Sequence, residues 1–348
     1  MNAVPYYKLV FVSALFALTI ITSPVLAQSN HYLMYIEAGS NQKFVGLATD
    51  GTYLYALGST DDTLLYWIDP SDESVIVILS LNTSTPGTIY ARDIAHYNGY
   101  LYVAGYSSDY SSNDEVQIIL AIFNCTGNKL SLVQVETIGI PGTDLWANSI
   151  AAGPDGVFIA GTHNDGTSNG DNALLVKLGL DGSLDWAIIY ASTDDEYGEH
   201  VYLANGYAYM AGTTYSTGAG GKDVFVMKVN PIDGNIVWQS WLGGSDNDFV
   251  DALTSVSIED KLYLYVIGTT ESFPTTPSTR SNIYIAVLDD YGSLREFKLL
   301  TGSGTNWGSY ATVVDDKMFI AGVTDGSGAG GDDIIAVSYT HLTLPTKA

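Results

Sequence analysis

The sequence predicts an all-β protein built from about six copies of one four-stranded antiparallel unit. Three observations predict it. First, a short apolar strand ending in glycine recurs as YLYALGST (residues 53–60), YLYVAGYS (100–107), GVFIAGTH (156–163), YAYMAGTT (207–214), YLYVIGTT (263–270) and KMFIAGVT (317–324). Second, its glycines (Gly58, Gly105, Gly161, Gly212, Gly268 and Gly322) stand 47, 56, 51, 56 and 54 residues apart, a period that suits four short strands with their turns. Third, segments rich in Val, Ile, Tyr and Phe alternate with Gly, Asp, Ser and Asn turns, and no helical period follows residue 27.

The fourth copy shows the unit most plainly. Residues 199–204 (EHVYLA) read as a first strand. Asn205-Gly206 supplies a two-residue hairpin turn, in which both residues need positive φ. Residues 207–214 are the second strand and residues 223–229 (DVFVMKV) the third, after a loop of small residues. Residues 236–242 (IVWQSWL) are the fourth, after the turn at Asp233-Gly234. The third copy repeats this at 173–178 and 185–190, and the fifth at 282–288 and 294–300. The second strands are almost wholly apolar, so both of their faces must be covered. One unit cannot do that alone. Six or seven stacked radially can, and that architecture is a β-propeller of four-stranded blades. Residues 31–38 (HYLMYIEA) match a fourth strand and are expected to complete the last blade, which shows only three strands of its own (311–315, 317–323 and 333–336).

The stretch GGKDVFVMKVNPIDGNIVWQSWLGG (220–244), followed by SDNDFVDAL and YVIGTT, resembles the SBBP-type β-propeller repeats of secreted and surface proteins. The resemblance spans about residues 31–336. It is strong in copies three, four and six and weaker in one, two and five. It implies the propeller and little about activity, because propellers host many functions.

The two ends read differently from the middle. Residues 9–27 are an apolar run after Lys8 that closes on Val25-Leu26-Ala27, the pattern of a secretory signal cleaved after Ala27; the same run is also long enough for a retained anchor. Residues 337–346 (VSYTHLTLPT) resemble one translated frame of a sequencing adapter. The expected organisation is therefore a signal peptide at 1–27, a propeller at 28–336 truncated at its C-terminal end, and an extraneous tail at 337–348.

Charge narrows the partners. The chain carries 13 Lys and Arg against 38 Asp and Glu, a net charge of −25. Such a field repels nucleic acid and anionic lipid, and no membrane insertion of the mature domain is expected. It favours cations and basic partners. The single cysteine, Cys125, excludes an intrachain disulfide.

Two groups of residues are candidates for chemistry. Counting twelve or thirteen residues back from each glycine reaches the start of a first strand, where the axis of the ring should lie. That places Arg92 and Asp93, Asn148 and Ser149, Glu199 and His200, and Ser309 and Tyr310 around a channel, with Asp251 from the longer hairpin of copy five. Among these, Glu199, His200, Arg92 and Asp93 are the acid–base candidates, against the plainer reading of a polar, water-filled channel. The second group is acidic loops. Asp165, Asn169 and Asp171, and Asp246, Asn247 and Asp248, offer closely spaced oxygens to calcium, although no EF-hand spacing is present and Asp and Asn also serve ordinary turns. No cofactor is expected beyond such a calcium ion. Asp171, Asp223 and Asp332 are expected to share one position before the third strand.

No nucleophile elbow, phosphate loop, paired-His metal motif or dinucleotide fingerprint occurs. The expectation is an extracellular, monomeric binding or scaffold module for a protein, glycan or cation. The alternatives are a propeller enzyme acting on polysaccharide (a lyase or hydrolase) and a structural cell-envelope protein.

Overall fold

The computed structural model describes residues 43–339 except 60–62, 72–73, 82–87, 110–114, 128, 168–169, 274–279, 303, 315–316 and 327–330. It is a six-bladed β-propeller. Five antiparallel sheets hold four consecutive strands each, at residues 43–80, 90–138, 144–190, 196–242 and 248–300. The sixth, at 306–339, holds three. In every blade sequence order is spatial order, so each blade is a meander joined by hairpins.

The first strands of successive blades pack against one another and form the inner wall. The fourth strands face outward and alternate between exposed and partly buried residues, as in Leu184–Tyr190. Between them the second and third strands are covered on both faces: every residue of Asp223–Val229 and of Asn282–Asp289 is buried. The core is accordingly divided into slabs between blades. One slab joins Leu57 and Trp67 of blade one to Val103 and Phe123 of blade two. Others join blades two and three around Leu120 and Ile159, three and four around Phe158 and Met227, four and five around Val226 and Leu264, and five and six around Ile285 and Ile320.

Backbone hydrogen bonds stitch the blades at one repeated point. The residue before the third strand accepts an N–H from the start of the next blade: Val116 from Leu145 (2.9 Å), Asp171 from Glu196 (2.8 Å), Lys222 from Asp248 (2.7 Å) and Ser281 from Asn306 (3.1 Å). Side chains add an outer clasp. Lys228, 3% exposed, pairs with Asp290 of the next blade at 2.5 Å, and the Trp238 indole donates to the Asp290 carbonyl at 2.9 Å. The Trp186 indole donates likewise to the Pro231 carbonyl of the next blade at 3.2 Å. These two tryptophans are structural, as their equivalent positions suggest.

The strand boundaries match the sequence reading closely in the second, third and fourth strands. The first strands begin earlier than expected, at Glu196 instead of 199 and at Asn306 instead of 311. The cause is a β-bulge, described below, which breaks the alternating pattern while the pairing continues beyond it. The last strand runs Asp333–Tyr339 and so continues through three residues past the boundary drawn at 336. The proposed closing strand at 31–38 lies outside the described residues.

Candidate functional site

Each first strand carries one extra residue opposite the repeat glycine. In blade four Gly198 pairs with Gly212 and His200 with Ala211, which leaves Glu199 as the bulge. The same skip leaves out Val45, Arg92, Asn148, Asp251 and Ser309 in the other blades. A bulge re-aims a side chain and tightens the local twist. Here it also explains the glycine. A β-carbon on Gly212 would stand 1.8 Å from the Tyr197 carbonyl oxygen, one on Gly268 1.9 Å from that of Phe249, and one on Gly161 2.1 Å from that of Trp146. The bulged strand needs the space that a side chain would fill.

The threonine after the glycine completes the device in two blades. Thr213 Oγ1 donates to Glu199 Oε2 at 2.8 Å, and Thr269 Oγ1 donates to Asp251 Oδ2 at 2.8 Å. Thr269 also accepts the Gly308 N–H of blade six at 3.0 Å. Asn148 Nδ2 reaches the Gly198 carbonyl of blade four at 2.9 Å.

Of the four acid–base candidates, Arg92, Asp93 and His200 line the channel and Glu199 lines a smaller pocket that shares Arg92 with it, and the four separate into two kinds. Asp93 and His200, one step past the bulge, are bound to the next blade. Asp93 Oδ2 accepts Ser149 Oγ at 3.1 Å and Ile150 N–H at 3.0 Å, while the His200 ring bonds to the Val250 backbone. Burial raises the Asp93 carboxyl to about 6 and lowers His200 to about 4. Arg92 and Glu199, the bulge residues, are not tied to a neighbour in this way. The Arg92 guanidinium lies 5.3 Å above the Tyr106 ring. Burial raises Glu199 to about 7 against the Thr213 hydrogen bond, and raises Asp251 to about 7, with the Glu199 charge adding to the shift.

Two cavities follow from this wall. The larger, about 700 Å³, is the channel itself. Arg92, Asp93, Asn148, Ser149, His200, Asp251, Ser309 and Tyr310 all line it; of the ring reached by counting back from the glycines only Glu199 is missing, because it lines the smaller pocket instead. The smaller, about 390 Å³, lies on the side where the first strands begin. It is lined by Arg92, Trp146, Asn148, Thr162, Asp171, Tyr197 and Glu199. Two aromatic rings, a guanidinium, an amide and two carboxyl side chains thus share one pocket. Counting back from the glycines reaches neither Trp146 nor Tyr197. The signal was available, because the residue two before the bulge is aromatic in five blades: Tyr90, Trp146, Tyr197, Phe249 and Trp307.

The acidic loops resolve into turns and loop braces. Asp165 Oδ1 accepts the Thr167 N–H at 2.9 Å and is exposed. Asn169 lies outside the described residues. Asp171 accepts Asn164 Nδ2 at 2.6 Å and also lines the smaller pocket. The Asp246 N–H donates to Ser272, Asn247 bridges the Lys222 N–H and Glu271, and Asp248 accepts the Gly244 N–H and Ser272 Oγ. Among the described residues no three His, Cys, Asp or Glu side chains converge as a metal site. The expected equivalence of Asp171, Asp223 and Asp332 is corrected by the strand register, which aligns Asp223 with Gln117, Asn172, Asn282 and Asp333. Asp171 and Asp332 each fall one residue earlier.

No protein-family model matches the chain, and no curated protein matches it. Solved structures with a similar fold include a dihydro-heme d1 dehydrogenase, NirN (15% identity, TM-score 0.49, 88% of this chain and 55% of that one). A prolyl endopeptidase aligns at 13% identity with a TM-score of 0.47, over 87% of this chain and 43% of that one. The hemagglutinin-neuraminidase ectodomain of parainfluenza virus 5 aligns at 11% identity with a TM-score of 0.46, over 85% and 81%. This chain spans about half the length of the first two. Likeness at such identities concerns the fold alone. Among the described residues no helix is long and apolar enough to cross a membrane.

Proposed function

We propose that this protein is an exported binding module that holds a glycan at the mouth of its axial channel. The observation that carries the reading is the smaller pocket, where Trp146 and Tyr197 stand with Arg92, Asn148, Asp171 and Glu199. A sugar ring offers an apolar face to an aromatic ring and hydroxyls to planar polar groups, and this pocket has both kinds of partner. Its volume, about 390 Å³, suits one or two sugar residues, and the channel beneath accepts a longer chain. The signal-like run at residues 9–27 and the net charge of −25 accord with an extracellular setting. The repeats resemble those of SBBP-type surface proteins.

A glycan array probed with the intact protein, followed by tryptophan-fluorescence titration of each hit, tests this. Trp146→Ala is expected to weaken binding about tenfold, the loss of one stacking contact worth about 1.4 kcal/mol. A channel-filling Asn148→Trp should abolish it. Hits that both variants bind normally would place the ligand elsewhere and overturn the reading.

Glu199 favours one second reading, glycoside hydrolysis. A carboxyl held at about 7 inside a sugar-sized pocket is a proton donor near neutral pH, and Asp251 is close enough to feel its charge. Chromatography of a bound oligosaccharide would show cleavage by the native protein and none by Glu199→Gln. An intact oligosaccharide after prolonged incubation would leave the protein a binder only.

A further inference from the structure

Arg92 carries the only positive charge among the bulge residues, which run Val45, Arg92, Asn148, Glu199, Asp251 and Ser309 around the axis. It is exposed, and no ion pair among the described residues includes it, although Asp171 and Glu199 line the same pocket. Its guanidinium lies 5.3 Å from the centre of the Tyr106 ring, and that ring stacks on Tyr90 at 5.5 Å. An aromatic face holds a cation without using up its N–H donors, as a carboxylate would. Arg92 is thus fixed at the pocket with its donors left for a ligand.

A second cation stands on the same rim. Lys222 occupies in blade four the place that Asp171 has in blade three, since each precedes a third strand and accepts an N–H from the next blade. Its ammonium lies over the rings of Tyr215 (4.7 Å) and Phe249 (5.0 Å). Tyr215 in turn meets the pocket residue Tyr197 edge-on at 6.2 Å, and the Lys222 charge is felt at Glu199. The pocket therefore has a cation from blade two on one side and one from blade four on the other.

The acids nearby are engaged with the protein itself. Asp171 Oδ1 accepts Asn164 Nδ2 at 2.6 Å, and Asp195 Oδ2 accepts the Tyr197 hydroxyl at 3.2 Å. Glu199 Oε2 accepts Thr213 Oγ1 at 2.8 Å, and burial raises this carboxyl to about 7. Near neutral pH much of it is protonated, and in that form it donates a hydrogen bond and does not repel an anion. The net charge of −25 is spread over the whole chain and is screened within about 8 Å at physiological ionic strength, so the groups inside the pocket decide the sign of its ligand.

We propose that the sugar held in this pocket is a uronic acid residue, with Arg92 binding its carboxylate. The proposal rests on the glycan reading above and names the substrate class of that same site. A guanidinium matches a carboxylate with two parallel N–H···O bonds, a geometry that a neutral sugar hydroxyl cannot reproduce. Trp146 and Tyr197 offer their faces to the sugar ring, and the charge of Lys222 adds to the preference for an anion.

Calorimetric titration of the full chain with short oligomers of galacturonic, glucuronic and mannuronic acid, each beside its methyl ester, tests the proposal. The ester keeps the ring and removes the charge. At least one acid is expected to bind about tenfold or more tightly than its ester. Arg92→Gln should reduce that ratio to about two or less, and Arg92→Lys should restore only part of it, because lysine keeps the charge without the fork. Arg92 is exposed, so both variants should fold, which thermal melting checks. Lys261→Gln, on the exposed hairpin at the other end of the channel, controls for net charge and should leave the ratio as it is. Neutral glycans that bind through Trp146, together with acids that bind no better than their esters, would overturn this proposal and leave the glycan reading standing. A ratio untouched by Arg92→Gln would do the same. Absence of binding by every glycan, acidic or neutral, would overturn both.

Discussion

Thr213 donates its hydroxyl proton to Glu199 Oε2 at 2.8 Å, and this bond sets the aim of the bulge carboxyl. Thr213→Val keeps the shape of the side chain and removes the donor. The bond favours the charged carboxylate, so its loss should raise the Glu199 pKa further above about 7. Carbon-detected NMR titration of the Glu199 side chain would show the shift. A cost of about 1 kcal/mol in denaturant unfolding should accompany it. An unchanged titration would mean that another group sets the carboxyl.

The channel also predicts how stability depends on pH. Burial raises Glu199 and Asp251 to about 7 and Asp93 to about 6, so their contributions are fully present below about pH 4 and are lost as pH rises through 6 and 7. His200, lowered to about 4, works in the opposite direction: its contribution is present above about pH 6.5 and is lost as pH falls through 4. Three carboxyls outweigh one imidazole. The melting midpoint should therefore fall between pH 5 and 8, and the Glu199→Gln, Asp251→Asn double variant should flatten that decline. Parallel curves for the two proteins would refute the assignment.

The repeat glycine should tolerate no side chain. Gly212→Ala would set its β-carbon 1.8 Å from the Tyr197 carbonyl oxygen, and a backbone oxygen in a buried ladder cannot step aside. Overpacking of this kind costs about 3 kcal/mol or more. Gly139→Ala is the matched control, because its β-carbon would meet only the flexible end of Gln117. Urea unfolding of the two variants should separate them clearly. Equal midpoints would show that the bulge can relax.

The hairpin of blade five should be improvable. Its turn residues Glu259 and Asp260 have φ of 50° and 61°, while the equivalent turns in blades two and four use Asn98-Gly99 and Asn205-Gly206. Positive φ is strained for a residue with a β-carbon. Asp260→Gly should stabilise the protein by about 0.5–1 kcal/mol, read as a higher midpoint in thermal melting. A lower midpoint would mean that the carboxylate makes a contact worth more than the strain.

The sequence by itself determined the repeat, the blade count among the described residues and the identity of the ring around the axis. It could do so because strand length, turn chemistry and period are local, and they tell the same story in six copies. Counting back from glycine reached Arg92, Asn148, Glu199 and Ser309 without knowledge that each is a bulge. The bulge itself was not legible, since Tyr197, Gly198 and Glu199 would serve equally well in a regular strand. Only the register against Gly212 marks Glu199 as the extra residue. The tertiary structure also decided which candidates hold blades together and which face the pocket. Asp93 and Arg92 are neighbours in the chain, yet one is bound to Ser149 and the other lies over Tyr106. Trp146 and Tyr197 are 51 residues apart and share a pocket, and Asp223 meets Asp248 across a junction. Those contacts depend on how one blade docks on the next, which no local stretch of sequence encodes.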